Sequence, residues 1–246
     1  MGEETRERAH LRIGAGCAIV GAVVSVAAGV GFGNVTNELG TEAVLRYIAS
    51  RPDWYWPSVY LGFILGTLLW VYALTALAGS LTRGGGWALG QLGTASIIAG
   101  AAVHVVDSAI SGFGLAHLAG TWAAAPSQGA ALLRDGDALL WILGGTWASV
   151  PNPFHGLPFV LFGLAVVLDR SYPDWLGWLG FVGGLGSLGC GTAMFLGLDL
   201  IPGWLFIAFA LVVSAFMLVL GAFMWRRRVV QIGDSPLGGE QMATNV

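Results

Sequence analysis

Residues 87–112 read WALGQLGTASIIAGAAVHVVDSAISG. The stretch contains no Lys, Arg or Glu, and its only ionisable side chains are His104 and Asp107. At a rise of about 1.5 Å per residue it is long enough, as a helix, to cross the roughly 30 Å hydrocarbon layer of a bilayer. The polar residues within it are not scattered. Gln91, Thr94, His104, Ser108 and Ser111 follow one another at helical gaps, with Asp107 at the border of the row. A lipid-facing helix would not carry such a row, so the stretch predicts a membrane helix whose polar side faces the interior of a bundle or a wet cavity.

The rest of the chain fits that reading. Of its 246 residues, 56% are hydrophobic and 10% are charged, against about 25% charged in an ordinary soluble domain. Five further apolar segments are legible. They run from Ile13 to Phe32, from about Pro57 to Leu81, from about Phe154 to Leu168, from Trp175 to Gly197, and from about Gly203 to Trp225. The prediction is an all-α, polytopic membrane bundle of six transmembrane helices over residues 1–228, followed by a disordered cytoplasmic tail over 229–246.

Connections and orientation follow from the same string. Residues 41–49 place Val44, Leu45 and Ile48 on one face, with Glu42 and Arg46 off it. They predict a short amphipathic helix in the first outer loop, capped by Thr41. The Trp54-Tyr55-Trp56 cluster marks a membrane interface. Residues 113–138 read as a long, less hydrophobic connection. Pro151, Pro153 and Pro158 interrupt the next apolar run, so a short outer helix is expected before Pro151 and the span proper from Phe154. Arg6, Arg8, Arg12, Arg83, Arg170 and Arg226 to Arg228 fall on one side, and Arg46, Arg51 and Arg134 on the other. Eight against three predicts both termini in the cytoplasm and a multi-pass protein of the inner (plasma) membrane. The fifth segment is rich in glycine, and Gly180 and Gly184 have the spacing that lets helix backbones touch.

Some chemistry is excluded. Every basic residue is Arg, so no Schiff base on lysine and no phosphate-binding loop lysine is available. The net charge of −3 gives no reason to expect nucleic acid. Cys17 and Cys190 are two isolated small residues and make no metal or disulfide framework.

The candidate site comes from depth. His104 lies about 25 Å above Trp87, and His155 about 21 Å above Asp169, at 1.5 Å per residue. Consecutive antiparallel spans are commonly neighbours. His104, Asp107 and His155 are therefore expected to converge in an outward-facing polar pocket. Tyr60, Ser108 and Ser111 would lie beside them, Asn152 at the rim, and Glu42, Asp135 and Asp137 at the mouth. A carboxylate-tuned imidazole suits acid–base chemistry, two His and an Asp can ligate a metal, and two facing His can ligate haem iron. The same residues also suit plain interhelical hydrogen bonding, and no specific catalytic string is present. The expected partners are the lipid bilayer and an apolar small molecule, lipid or membrane protein. The alternatives are a membrane-embedded enzyme with a His/Asp site and a small-solute or proton-coupled transporter.

The order of features, with YIASRP at 47–52, FHGLPFVLFGLAVVL at 154–168 and YPDWLGWLGFVGGLG at 172–186, resembles a family of six-span bacterial integral membrane proteins catalogued only as a domain of unknown function. The resemblance covers roughly Arg12 to Arg226. It implies six helices and brings no activity, substrate or cofactor with it.

Overall fold

The structure is a computed structural model that describes residues 3–32, 40–81, 84–198 and 202–227. The expected tail over 229–246 lies outside the described residues, as does Asp199 in the last connection. Among the described residues all regular structure is helical: α1 (Glu3–Phe32), α2 (Gly40–Ala49), α3 (Tyr55–Ser80), α4 (Gly85–Ala109), α5 (Ala116–Ala124), α6 (Gly129–Ser149), α7 (Leu157–Asp169), α8 (Asp174–Phe195) and α9 (Gly203–Arg226). Wide π-helical turns, Ile110–Leu115 and Pro151–Gly156, join α4 to α5 and α6 to α7 without breaking the helical path. Six stretches are long and apolar enough to cross a membrane, so the protein is a multi-pass integral membrane protein.

The spans close into a ring in which α1 packs on α3, α3 on α4, α4 on α7, α7 on α8, α8 on α9, and α9 back on α1. Antiparallel neighbours in chain order give this arrangement directly. The ring would leave a hole along its axis if small residues lined it. Large side chains fill it instead: Trp70, Phe154, Phe159, Phe162 and Phe216 are all fully buried. Around this column the helices approach closely through glycine. The seam between α7 and α8 is one such place. A Cβ on Gly184 would stand 2.6 Å from the backbone nitrogen of Val160, and one on Gly177 would stand 2.7 Å from the carbonyl of Gly163. Gly180, by contrast, packs under the ring of Phe216 on α9. Gly180 and Gly184 thus serve two different neighbours inside the bundle, not one shared contact face.

Two expectations about the connections are corrected. The stretch 113–138 is mostly helical, not a loose connection, and α6 runs to Ser149 and continues into α7. The third apolar stretch spans Gly85–Ala124 and the fourth Gly129–Asp169, 40 and 41 residues long. At 1.5 Å per residue each is about 60 Å, roughly twice the hydrocarbon thickness, so their upper halves project as a hairpin. Proline did not end the helix because a π turn takes it up. The prolines at 151 and 153 lack the N–H that an α-helix would use, and the wider turn tolerates the missing bonds.

The hairpin explains α2. Its buried residues are Val44, Leu45 and Ile48, the face read from the sequence. That face packs on α5 and α6 as well as on Trp56, forming a second apolar cluster with Leu115, Ala119 and Leu143. The amphipathic helix therefore docks on protein, where an interfacial helix was expected to lie against lipid. Asp137 accepts a hydrogen bond from Thr41, and Glu42 pairs with Arg46 at 2.5 Å. At the arginine-rich side, the Arg227 guanidinium donates to the Ser80 carbonyl at 3.2 Å and lies 4.9 Å over the Tyr172 ring. It satisfies an end carbonyl of α3 and ties α9 to the α7–α8 turn.

Candidate functional site at the paired histidines

One face of α4 sets the site. Its buried residues recur at alternating gaps of three and four: Gly86, Gly90, Gly93, Ile97, Gly100, His104, Asp107, and then Ser111 just beyond its end. In the arginine-rich half that face is glycine and lets neighbours approach. In the other half it is polar. Gln91 is exposed, and the Thr94 hydroxyl donates to its own backbone at Gly90. The expected polar row therefore begins only at His104.

The two imidazoles meet. The ring centroids of His104 and His155 are 5.9 Å apart. They meet because Gly100 admits the π turn. A Cβ there would stand 2.6 Å from the backbone nitrogen of Phe154 and closer still to the Pro153 carbonyl. Any other residue would push apart the two segments that carry the histidines. Phe154 lies 4.7 Å from each imidazole. His155 is further enclosed by Trp70 at 6.0 Å and Phe206 at 5.6 Å.

Asp107 does not join them. The Thr146 hydroxyl donates to its carboxylate, while Thr67 Oγ1 lies 2.8 Å from Nδ1 of His104. The expected carboxylate–imidazole pair on α4 is replaced by two separate threonine contacts. The tautomer-fixing arrangement for acid–base work is therefore not formed. Tyr60 is half-buried, within hydrogen-bonding reach of Ser111, and packs against Gly112, and Ser108 is buried on the same face of α4 as Ser111. Asn152 turns away from the histidines toward α8, where Thr192 donates to its side-chain oxygen at 3.3 Å.

Nδ1 of His155 is closed off from solvent and has no hydrogen-bond partner among the described residues. Trp70 Nε1 and Ser187 Oγ share that condition. Most buried polar atoms in folded proteins find a partner, and one that does not calls for an explanation.

Neither His104 nor His155 borders the two best-formed concavities among the described residues. These are shallow, about 440 and 480 Å³, and lie further out. The first is lined by Gly114, His117, Thr121, Leu132 and Asp135 among others, the second by Glu42, Trp122 and Leu133 among others. Of the expected mouth residues, Asp135 and Glu42 belong to these. Between the histidines and the side away from the arginine-rich end stands the apolar cluster of Ile48, Trp56, Leu115 and Leu143, continued toward His104 by Tyr60 and Phe63. The outward opening expected from the sequence is thus covered. Toward the arginine-rich side, Trp70, Phe159 and Phe216 fill the axis.

Among the described residues no three His, Cys, Asp or Glu side chains stand close enough to hold a metal ion. A haem bridging the two imidazoles does not fit either. Phe154 packs against both rings, and a porphyrin needs a flat slot open all round the axis between its ligands. Thr67, Thr146 and Phe206 were not singled out in the sequence. Thr67 carried a signal, as the one hydroxyl between Leu61 and Tyr72 in an apolar span.

No family model, curated protein or solved structure matches the chain.

Proposed function

We propose that this protein binds a small amphipathic molecule or lipid beside His155, in the half of the bilayer away from its arginine-rich side. The arginine distribution supports an orientation in which the chain ends lie in the cytoplasm and that half in the outer leaflet of a plasma membrane. The observation that carries the reading is the closed-off, unpaired Nδ1 of His155 inside a cage of Trp70, Phe154, Phe206 and His104. An imidazole nitrogen left without a partner in a low-dielectric setting is costly, and a ligand hydroxyl or carbonyl would satisfy it. Three further features support it. The histidine sits in a π turn, a distortion that recurs at functional sites. A second histidine adjoins it, and the aromatic walls suit an apolar body with one polar group.

The acid–base reading loses its carboxylate partner to Thr146, and the rings below the histidines leave no polar path for a transported solute. Binding accounts for the arrangement with the fewest additions. The test is ligand retention. Protein purified gently into nanodiscs is examined by native mass spectrometry and lipid extraction, beside His155→Phe. The expected result is a bound species in the natural protein that falls at least about fivefold in the variant, with unchanged thermal stability. Equal retention, or no bound species in either, overturns the proposal.

A further inference from the structure

Resting on the binding site just proposed, we infer that its ligand is a neutral, single-headed amphiphile such as a long-chain or polyprenyl alcohol, and that it enters sideways from the bilayer between α1 and α9. The route follows from how the seam between these helices changes with height. In the arginine-rich half it is shut. Ala15, Ala18 and Ala22 are wholly buried there, as are Met217 and Leu220. A Cβ on Gly221 would stand 2.8 Å from the Ala15 carbonyl. Eleven residues, about three turns, return to the same helix face. That step leads from Ala15 up to Val26, and from Gly221 up to Ala210. Both are only half-buried. Ala210 stands about 24 Å above Arg226, close to the level of His155.

Behind the loosened seam sits Phe206, buried between His155 at 5.6 Å and Trp147 at 5.8 Å. Trp147 also stacks on Phe32 at the end of α1, at 6.3 Å, and so roofs the seam. Water has no comparable way in, because the apolar cluster under α2 covers the site from above. A swing of the Phe206 ring is enough to let a head group reach Nδ1 of His155.

The chemistry of the walls selects the head. The described arginines lie toward the helix ends and in the outer hairpin, outside the cage, and Asp107 is the nearby acid, so an anionic head meets no countercharge. The unpaired nitrogens on the cage residues are His155 Nδ1 and Trp70 Nε1, the second of them beside Gly21 of α1, and the rest is rings, which matches one hydroxyl on an apolar chain.

The experiment places the full chain in phosphatidylcholine vesicles with a diazirine-bearing hexadecanol, or with the carboxylic acid of the same length. Irradiation is followed by adduct mapping. The expected result is adducts on residues 22–32 and 204–213, at least about fivefold stronger for the alcohol than for the acid. Ala210→Trp, which fills the seam, should cut them about fivefold, and Phe206→Ala, which removes the door, should raise them. Equal labelling by acid and alcohol overturns the head-group assignment. Labelling that depends on His155 yet ignores both seam variants, or concentrates on α5 and α6, overturns the route while leaving the binding site standing. Labelling indifferent to His155→Phe removes both.

Discussion

Gly100→Ala is a small change with a large expected consequence, because the methyl group lands on backbone. Its Cβ would stand 2.6 Å from the nitrogen of Phe154, where ordinary contact begins near 3.4 Å. The Pro153 carbonyl lies closer still, so the α4 helix and the π turn must separate by at least about 0.8 Å, and neither surface has a flexible side chain to give way. Forced overpacking of this kind costs about 1–3 kcal/mol. For a chain of this size that is a fall in Tm of roughly 2–12 °C, at about 2–4 °C per kcal/mol. His104 lies one turn beyond Gly100 on the same face, so the two imidazoles separate as well, and ligand retention should fall with stability. The control is Gly189→Ala in α8, where nothing lies within 4 Å of the new Cβ. It should be neutral or gain up to about 1 kcal/mol from helix propensity. Both are measured by thermal unfolding in the same detergent, followed by native mass spectrometry. If Gly100→Ala melts with Gly189→Ala and keeps its ligand, the close approach that builds the site is wrong.

Other perturbations separate the parts. Thr67→Val and His104→Phe each break the contact between α3 and α4, and the double variant should cost less than the sum by about 0.6–2 kcal/mol, read from a thermodynamic cycle in detergent. Asp107→Asn keeps an acceptor for Thr146 and should stay within about 0.5 kcal/mol of the natural protein, whereas Asp107→Leu leaves that hydroxyl without its partner and should be the less stable of the two. Leu45→Asp puts a charge into the cluster beneath α2, so limited proteolysis should cut near residues 40–54 while the membrane-spanning fragments stay intact. Protection equal to the natural protein would mean α2 is not held by that cluster.

The six spans were legible because hydrocarbon leaves a long backbone segment few options: about twenty apolar residues in a row must satisfy their own hydrogen bonds, and the helix does so. The face of α2 was legible for a similar reason, since Val44, Leu45 and Ile48 recur at helical spacing whatever they pack against. What covers that face was not, because lipid and a protein hairpin are equally apolar. Proline misled for the opposite reason. It removes a donor wherever it occurs, but whether the helix breaks or widens depends on what packs beside it, and at residues 151–156 the flat glycine face of α4 supports a widened turn.

The same division holds at the site. Counting residues from the membrane edge brought His104 and His155 to one level, since rise per residue is a property of the helix alone. Which hydrogen bond each polar group makes is a matter of distance between helices, settled by Gly100, Thr67 and Thr146 on three different elements. Sequence by itself determined that this chain lives in a bilayer as six helices with polar groups turned inward. Only tertiary packing decided that Asp107 would leave the histidines for Thr146, that an apolar cap would close the side away from the arginines, and that one imidazole nitrogen would be left over.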